Sequence, residues 1–435
     1  SFATFLPGVY ESVTTPDPEN EFLPQYFLST SSNRAFSHAY KGRQTFNGSL
    51  SNFILLNGFP LRFPVGTVAT TGTAEPSSPG AGELDGATKI GDIEVQLDTV
   101  ANYANGNYIQ VGTGATAEVR QIVSIASTVF RLNYPLMMAH ADAETCGEVT
   151  APFTHTITEQ SELNSITWNL LLQSSDGTAA NNLIRRYIGG MVNRATYSAE
   201  EGGMLMCSWD DVQFLDYLHN QKFHSSVGSG SSEIARFSSA ILDPTEGSDG
   251  IGGANPAPSG SLTETSFPTN EPYYFSQGAI TAFGVTFARV RNFRIDVSNN
   301  IQRRDYITDQ GRDRVPVDFQ EQRREYRITL SLAMEDTTNA DTSTVRSLWK
   351  ELILEADYGS GLVGFDMTIV FTRGANDTIT FTLPQNTAST AFEDQGVLLL
   401  RAPHPVGTEA PIQVDMEGIF RSIGIVIVDS EAVYP

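Results

Sequence analysis

Two runs of alternating residues, joined by a short polar link, indicate the fold. The runs are Asp366-Met367-Thr368-Ile369-Val370-Phe371 and Thr378-Ile379-Thr380-Phe381-Thr382-Leu383, and Gly374-Ala375-Asn376-Asp377 lies between them. Apolar and polar side chains alternate in both runs, which is the period of a β-strand with one face on a core and one face polar. Glycine and asparagine in the link suit a hairpin turn. The stretch therefore predicts an antiparallel hairpin over a hydrophobic core.

The same period recurs on both sides of this hairpin. Residues 327–332 and 292–297 alternate cleanly, and residues 421–428 do so approximately. Hydrophobic residues make up 40% of the chain, which is enough to fill the cores of such sheets. The sequence therefore predicts a mainly β protein built from many short strands.

Helical patterns are few. Residues 342–356 predict an amphipathic helix, because apolar side chains follow the spacing i, i+3, i+4, i+7 at Val345, Leu348, Trp349 and Leu352. Residues 208–221 predict a second helix, with one apolar side formed by Trp209, Val212, Leu215 and Leu218. Residues 48–56 fit either a short helix or a buried strand.

Two segments rich in Gly, Pro and Ser, residues 70–86 and 225–270, predict boundaries. Between the first of them and about residue 149, short strands are expected at 93–97, 108–111, 117–124 and 129–132, which predicts a small β module inserted into a larger domain. The remaining chain divides into two β-rich halves near residue 250. Residues 187–198 and 283–295 show a loosely similar pattern, so we treat an ancient duplication as a hypothesis.

The chain is strongly acidic, with 50 Asp and Glu against 27 Lys and Arg and a formal net charge of -23. This balance excludes a conventional DNA-binding protein, which attracts phosphates with Lys and Arg. Ten arginines are nonetheless crowded between Arg289 and Arg327, and acidic residues alternate with them. Such mixed charge favours salt-bridged protein contacts or, equally, a solvated surface of strands and loops.

Motifs of enzyme and metal chemistry are missing from the sequence. It contains no H-E-x-x-H, C-x-x-C, G-x-S-x-G or Walker-type phosphate loop. Cys207 lies in an apolar run and is expected to be a buried small hydrophobe. Acidic doublets such as Asp210-Asp211 point to opposite faces of a strand and do not form the facing pair that a glycosidase needs. We therefore expect no enzyme activity, no cofactor, no metal, no membrane span and no secretory signal.

One segment resembles a known family. Arg289-Val290-Arg291-Asn292-Phe293-Arg294-Ile295-Asp296-Val297-Ser298-Asn299-Asn300-Ile301 resembles the major tail tube proteins of tailed bacteriophages, in which a strand ending in asparagines leads into a polar hairpin and a long returning strand. Those parts correspond here to residues 302–314 and 319–335. The strand Gly189-Gly190-Met191-Val192-Asn193 is similar to another recurring element. The inserted segment looks like small β modules that decorate phage virion proteins.

The resemblance implies a mainly β fold with two tail-tube-type β-sandwich domains, each with a flanking helix, plus a small inserted β domain. The first tube domain would comprise residues 1–66 and 150–224, and the inserted domain residues 67–149. Residues 225–270 would form a linker or long loop, and residues 271–435 the second tube domain.

The resemblance also implies a virion structural protein that assembles into stacked rings, forming a hollow tail tube in the host cytoplasm together with other tail proteins. Two fused domains favour a trimeric, pseudo-hexameric ring over a hexameric one. DNA would pass through an acidic lumen without specific binding. Candidate lumen-facing carboxylates are Asp296, Glu321 and Glu325. Candidate contacts between subunits or rings are Arg291, Arg303, Arg304, Arg312, Arg314, Arg323 and Arg324.

Other functions are compatible with the same composition. One alternative is a different virion structural or decoration protein, a second is a secreted acidic β-sandwich that binds carbohydrate, and a third is a glycoside hydrolase. The sugar-binding alternative would need exposed tryptophans, but only Trp168, Trp209 and Trp349 exist, and the last two lie in apolar patterns typical of a core.

Overall fold

Strands dominate the structure. The computed structural model describes residues 11–25, 38–72, 80–172, 175, 183–219, 269–282, 285–286, 290–305, 316–333, 364–385, 396–403, 413–432 and 434. Helical structure in these residues is limited to short 3-10 turns at Phe59–Arg62, Gly114–Thr116 and Phe275–Gln277. The predicted mainly β fold is confirmed.

The larger of two main sheets has ten strands, and all of its pairs are antiparallel. Its strand order is β1-β4-β15-β14-β19-β22-β26-β25, and β13 and β16 also pair with the long strand β14. The strands are β1 Ser12–Thr14, β4 Asn47–Ile54, β13 Ile166–Leu172, β14 Leu183–Glu200, β15 Met206–Gln213, β16 Asp216–His219, β19 Val290–Ser298, β22 Glu325–Ala333, β25 Leu398–Arg401 and β26 Gln413–Phe420.

The second main sheet has seven antiparallel strands in the order β18-β17-β23-β24-β27-β12-β5. Both halves of the chain contribute to it, as they do to the first sheet. Its strands are β5 Gly66–Gly72, β12 Phe153–Glu159, β17 Gly278–Ala282, β18 Val285–Thr286, β23 Met367–Gly374, β24 Asp377–Leu383 and β27 Gly424–Asp429.

The two main sheets pack face to face around one hydrophobic core. Phe293 on β19 lies 5.7 Å from Phe371 on β23, measured between ring centroids, and Tyr197 on β14 lies 5.6 Å from Phe381 on β24. The alternation recognised in the sequence produces this arrangement, because every second residue of β22, β23 and β24 is buried. Complete burial of an aliphatic or aromatic side chain contributes about 1.5–3 kcal/mol, so the alternating positions supply the main stabilisation.

A separate six-stranded barrel occupies the region between β5 and β12. Its strand order is β6-β11-β8-β9-β10-β7, and it has its own small core around Phe130 and Ile122. The first and last strands also meet, because Leu84 and Leu97 form a bridge and the Asp98 amide donates to the Glu83 carbonyl at 3.0 Å. The strands are β6 Ala81–Glu83, β7 Glu94–Gln96, β8 Tyr108–Val111, β9 Glu118–Ala126, β10 Val129–Leu132 and β11 Thr145–Val149.

Two hairpins of the seven-stranded sheet have very different connections. β23 and β24 are joined by two residues, Ala375 and Asn376, as the sequence predicted. β5 and β12 pair in the same antiparallel manner, with Gly72 opposite Phe153, but the whole barrel lies between them. The barrel therefore stands where a hairpin loop would otherwise be.

Two-stranded ribbons leave the ten-stranded sheet at corresponding places. The first is formed by β2 (Glu19–Gln25) and β3 (His38–Thr45), between β1 and β4. The second is formed by β20 (Gln302–Arg304) and β21 (Asp318–Gln320), between β19 and β22.

The predicted helix at residues 208–221 is wrong, because this segment contains strands β15 and β16. Bulges in the β4–β15 pairing interrupt the two-residue period at Trp209, so the buried residues Trp209 and Val212 are three apart. A separation of three residues between buried positions is also typical of one face of a helix. The ambiguous segment 48–56 is largely strand β4, and the helix predicted at 342–356 lies outside the described residues.

Candidate functional surfaces

The outer face of the ten-stranded sheet carries a band of charged side chains, which we call the charged face. It is formed by residues that alternate with the buried ones, namely Arg194, Asp210, Arg294, Asp296, Glu325, Arg327, Arg401, Asp415 and Glu417. Acidic and basic groups are interleaved across neighbouring strands. Charged side chains extend across this face from β15 to β25.

Most arginines on the charged face are paired with carboxylates of the same face. The Arg294 guanidinium lies 2.8 Å from the Asp296 carboxylate. Both Arg327 and Arg401 contact Glu417, at 3.5 and 2.6 Å. These pairs are solvent-exposed and contribute at most about 1 kcal/mol each, so their main effect is to hold the arginine side chains close to the sheet.

A threonine hydroxyl links two carboxylates where β14 meets its neighbours. Thr196 Oγ1 lies 2.8 Å from Asp210 Oδ2 and 2.9 Å from Asp296 Oδ1. A hydroxyl has one proton to donate, so it satisfies only one of the two carboxylates at a time. The other carboxylate is left to water or to Arg294.

The outer face of the seven-stranded sheet is different, because its central positions carry no charged side chain. Cross-strand pairing arranges them in rows: Thr154 lies opposite Thr71 and Val428, and Thr380 lies opposite Val370 and Val426. We call this surface the threonine face; its outward residues are Thr67, Ala69, Thr71, Thr154, Thr156, Thr158, Ala279, Thr281, Thr368, Val370, Thr372, Thr378, Thr380, Thr382, Val426 and Val428. The sandwich thus has one charged and one uncharged outer face.

The first ribbon exposes large apolar side chains. Phe22 is 61% exposed and Tyr40 is 51% exposed, although an isolated two-stranded ribbon is only marginally stable in water. At its base, Arg43 lies 3.4 Å from Asp305, and Arg303 donates to the Gln44 carbonyl. The second ribbon therefore supports the first one, whose apolar surface remains open.

Metal-binding clusters and exposed thiols are missing from the part of the chain that the structure describes. No group of three His, Cys, Asp or Glu side chains there is arranged to hold a metal ion. Both cysteines are buried and free, and burial raises the pKa of Cys146 to about 12. No helix in the described residues is long and apolar enough to cross a membrane.

Residues 243–419, about two fifths of the chain, match the family model described as phage tail tube protein. This match supports a phage tail tube protein, which is a structural protein of the virion tail. A search of curated proteins finds no match.

Two of the three candidate lumen carboxylates of this tail tube protein lie together on the charged face. The Asp296 side chain is 36% exposed in the middle of β19, and Glu325 is exposed at the start of β22, opposite Ser298. Glu321 lies elsewhere: its carboxylate accepts a hydrogen bond from the Leu163 amide at 2.9 Å.

The candidate contact arginines of the tube protein do not form one surface. Arg324 donates to the Asn299 side chain and to the carbonyls of Val65 and Gln160, so it holds elements of its own chain together. Arg303 and Arg304 make contacts at the second ribbon, and Arg291 lies 3.4 Å from Glu201. Arg323 is exposed, and Arg312 and Arg314 lie outside the described residues.

A buried ion pair, which was not predicted from the sequence, fastens the barrel to the sandwich. Arg373 and Asp377 flank the β23–β24 turn, point inward and lie 2.9 Å apart. Around them, Asn133 of the barrel donates to Asp377 at 3.3 Å, and Tyr108 donates to the Asn376 carbonyl at 2.8 Å. The sequence contained a sign of this pair, because both charged residues occupy alternating positions whose other side chains face the core.

The rings of two tyrosines surround this pair. The Arg373 guanidinium lies 3.9 Å from the ring centroid of Tyr273 and 5.4 Å from that of Tyr134, whose other neighbour is Arg120 at 4.3 Å. Burial lowers the pKa of Arg373, but Tyr273 and Asp377 raise it more, so the net shift is upward and the guanidinium stays charged. The barrel, the β23–β24 turn and residue Tyr273 therefore meet at one fixed cation.

Proposed function

We propose that this tail tube protein assembles into stacked rings that form a hollow tube, with the charged face lining an acidic lumen through which DNA passes. The observation that carries the proposal is the ten-stranded sheet. It has a polar charged face on one side, the sandwich core on the other, and short strands at both ends that can continue into neighbouring subunits.

The strand order of this sheet supports two tube units in one chain. The first four strands on the main path, β1-β4-β15-β14, come from the first half of the chain, and the next four, β19-β22-β26-β25, come from the second half. In each block a two-stranded ribbon lies between the first two strands, and the last two strands form a hairpin.

Such a repeat favours the division into two units expected from the sequence, residues 1–66 and 150–224 in one and 271–435 in the other, with β5 extending the first unit to Gly72. Three copies of the chain would then contribute six equivalent blocks to a ring. The repeat therefore supports a trimeric ring with pseudo-six-fold symmetry, whereas a hexameric ring would hold twelve blocks and form a wider tube.

Like charge is the proposed reason why DNA moves freely. The carboxylates of Asp210, Asp296 and Glu325 present negative charge, and the carboxylates beside Arg294 and Arg327 compete with phosphates for these arginines. Phosphates near such a surface are repelled and release no counterions on contact, so DNA finds no binding site along the wall. The uncharged threonine face and the barrel are proposed to lie on the outside.

Electron microscopy of the purified protein tests the assembly. Hollow tubes with a regular axial repeat are expected, and averaged end views should show six similar densities in a ring. Particles that remain single chains under all assembly conditions would overturn the proposal.

The lumen is tested separately with Glu325→Lys in phage particles. Tubes should form normally, because Glu325 is exposed, but DNA ejection should slow down as phosphates bind the new cations. Glu94→Lys, an exposed position on the barrel, is the matched control and should eject DNA at the normal rate. Equal ejection rates for both variants would show that Glu325 does not line the lumen.

A further inference from the structure

We propose that the Thr70 hydroxyl is an acylation site, at which His155 acts as the base and a thioester or activated ester supplies the acyl group. The site lies on β5, the strand at one edge of the seven-stranded sheet, and does not depend on the proposed ring or lumen. Sequence patterns do not reveal it, because Thr70 and His155 are 85 residues apart and Asp429 lies 274 residues further on.

The imidazole of His155 is completely buried, and its hydrogen bonds determine which nitrogen carries the proton. Nε2 lies 2.9 Å from the Glu431 carbonyl oxygen and 3.2 Å from Asp429 Oδ1. Both partners are acceptors, so Nε2 carries the proton of the neutral ring. Nδ1 then has a free lone pair, and Thr70 Oγ1 donates to it at 2.9 Å. The Thr70 hydroxyl is therefore hydrogen-bonded to a base, which activates it as a nucleophile.

Asp429 and Tyr434 hold the imidazole in this orientation. The Tyr434 hydroxyl donates to Asp429 Oδ2, and the Tyr434 ring stacks on the His155 ring at 3.7 Å between centroids and 7° between planes. When Thr70 gives up its proton, the ring becomes an imidazolium, and the buried Asp429 carboxylate stabilises its charge. Thr70, His155 and Asp429 thus have the arrangement of nucleophile, base and positioning carboxylate that acyl transfer requires.

The backbone of β5 directs an amide to the open edge beside this hydroxyl. Thr70 lies directly opposite His155, and five pairs further along the same register the Gln160 amide donates to the Val65 carbonyl. Hydrogen-bonded and non-hydrogen-bonded pairs alternate in an antiparallel ladder, so Thr70 and His155 form a non-hydrogen-bonded pair. The Thr70 N–H therefore points away from β12. There it can donate to the oxyanion of a tetrahedral intermediate formed on its own side chain.

The nucleophile is open to solvent although its base is not. Thr70 is exposed on the edge strand, whereas His155 is covered by protein. An acyl donor can thus approach Oγ1 from solvent while the proton is removed from the protein side. Thr71 offers an internal comparison, because it is also exposed but belongs to the threonine face. No histidine contacts its hydroxyl in the described part of the chain.

The proposed reaction transfers one acyl group to each chain. Thr70 Oγ1 attacks the carbonyl carbon of the donor, a new ester bond forms, and the bond from that carbon to the leaving group breaks. The hydroxyl proton moves to His155 Nδ1. From there it passes to the leaving thiolate of a thioester, or to water when the leaving group is a stable phenolate. The step involves no oxidation or reduction.

Acetylation of the purified full chain with p-nitrophenyl acetate tests the site, with peptide mass spectrometry as the readout. Thr70 should be acetylated at least about tenfold faster than Thr71, because a general base typically contributes about 10²–10⁴-fold. The acetyl group should be released by hydroxylamine, as expected for an ester. Thr70→Val, which keeps the shape but lacks the hydroxyl, should lose this acetyl group, whereas Thr70→Ser and the matched control Thr71→Val should retain it. Equal rates at Thr70 and Thr71 would overturn the proposal.

The variants His155→Gln and Asp429→Asn test the base and the positioning carboxylate. Each should slow acetylation of Thr70 at least about tenfold while the slow reaction of Thr71 is unchanged. Loss of the fold would affect both threonines, so the ratio of their rates distinguishes positioning from a purely structural role. An unchanged ratio in a variant that still melts cooperatively would overturn the role of that residue. If neither variant folds, the comparison of Thr70→Val with Thr71→Val decides the proposal, since both positions are exposed.

Discussion

Removal of the Arg373 guanidinium should weaken the attachment of the barrel to the sandwich more than any single change on the surface. The guanidinium is almost completely buried and makes an ion pair with Asp377, and it donates to the Leu56 and Glu271 carbonyls. In the variant Arg373→Met, a side chain of similar length fills the space but carries no charge and no donors.

The expected loss is about 4 kcal/mol of unfolding free energy, because removing one partner of a buried ion pair costs about 3–5 kcal/mol. Asp377 keeps the Tyr273 hydroxyl at 2.7 Å and the Asn133 amide at 3.3 Å, so its carboxylate remains partly satisfied. The total stability of a domain is about 5–15 kcal/mol, so the variant should still fold. The double variant Arg373→Met with Asp377→Asn should recover part of the loss, since no unpaired charge then remains buried.

Urea unfolding followed by tryptophan fluorescence measures the stability, and hydrogen exchange locates the change. Amides near Gly106 and Asn133 in the barrel should exchange faster, while those in β19 and β22 should change little. Arg327→Ala is the control, because its ion pair with Glu417 is exposed and should contribute at most about 1 kcal/mol. A loss below about 1 kcal/mol for Arg373→Met would refute the reasoning about buried pairs.

Three further predictions concern single groups. Burial raises the pKa of Cys146 to about 12 and that of Cys207 well above its usual value, so neither thiol should react with a disulfide reagent at pH 8 until the protein is denatured; rapid reaction in the native state would contradict their burial. Gly189→Ala should destabilise the protein by about 1–3 kcal/mol more than Gly114→Ala in thermal unfolding, because both glycines have φ +65° but only at Gly189 would a Cβ meet Leu215, at 2.6 Å; equal losses would remove the steric argument. Burial raises the pKa of Glu159, so the folded state disfavours its charged form, and the stability of the native protein relative to Glu159→Gln should be greatest below about pH 4.5 and fall as the pH rises through the folded-state pKa; an opposite slope in pH-dependent melting would refute this assignment.

Alternation in the sequence was sufficient to predict the β-hairpin at residues 367–383 and the mainly β class. Alternation with a period of two can be recognised in a short stretch of sequence, because the pleat of a strand points successive side chains to opposite faces. The same reasoning failed at Trp209, where bulges change the local period and imitate a helix. A bulge depends on the neighbouring strand, which lies far away in the sequence, so the local pattern does not reveal it.

Surface assignments were harder to predict than strands. Asp296 and Glu325 lie on the same solvent face, because both alternate with buried residues of β19 and β22. Glu321 directly follows the short strand β21 and lies before the start of β22. The in–out alternation of β22 therefore does not determine the direction of its side chain. The closure of the barrel could not be predicted either, because its closing strand β6 is only three residues long and shows no clear alternation of apolar and polar residues.

The position of the barrel has a consequence for how such a chain can change. It enters and leaves the sandwich at paired positions, Gly72 and Phe153, in place of the two-residue turn that ends the β23–β24 hairpin. Any domain whose termini lie about one strand spacing apart, about 5 Å, meets the same geometric requirement. The β5–β12 hairpin is therefore an acceptor site for exchangeable domains. A foreign domain grafted there would be displayed once per subunit, while the strands that form the sheets keep their sequence.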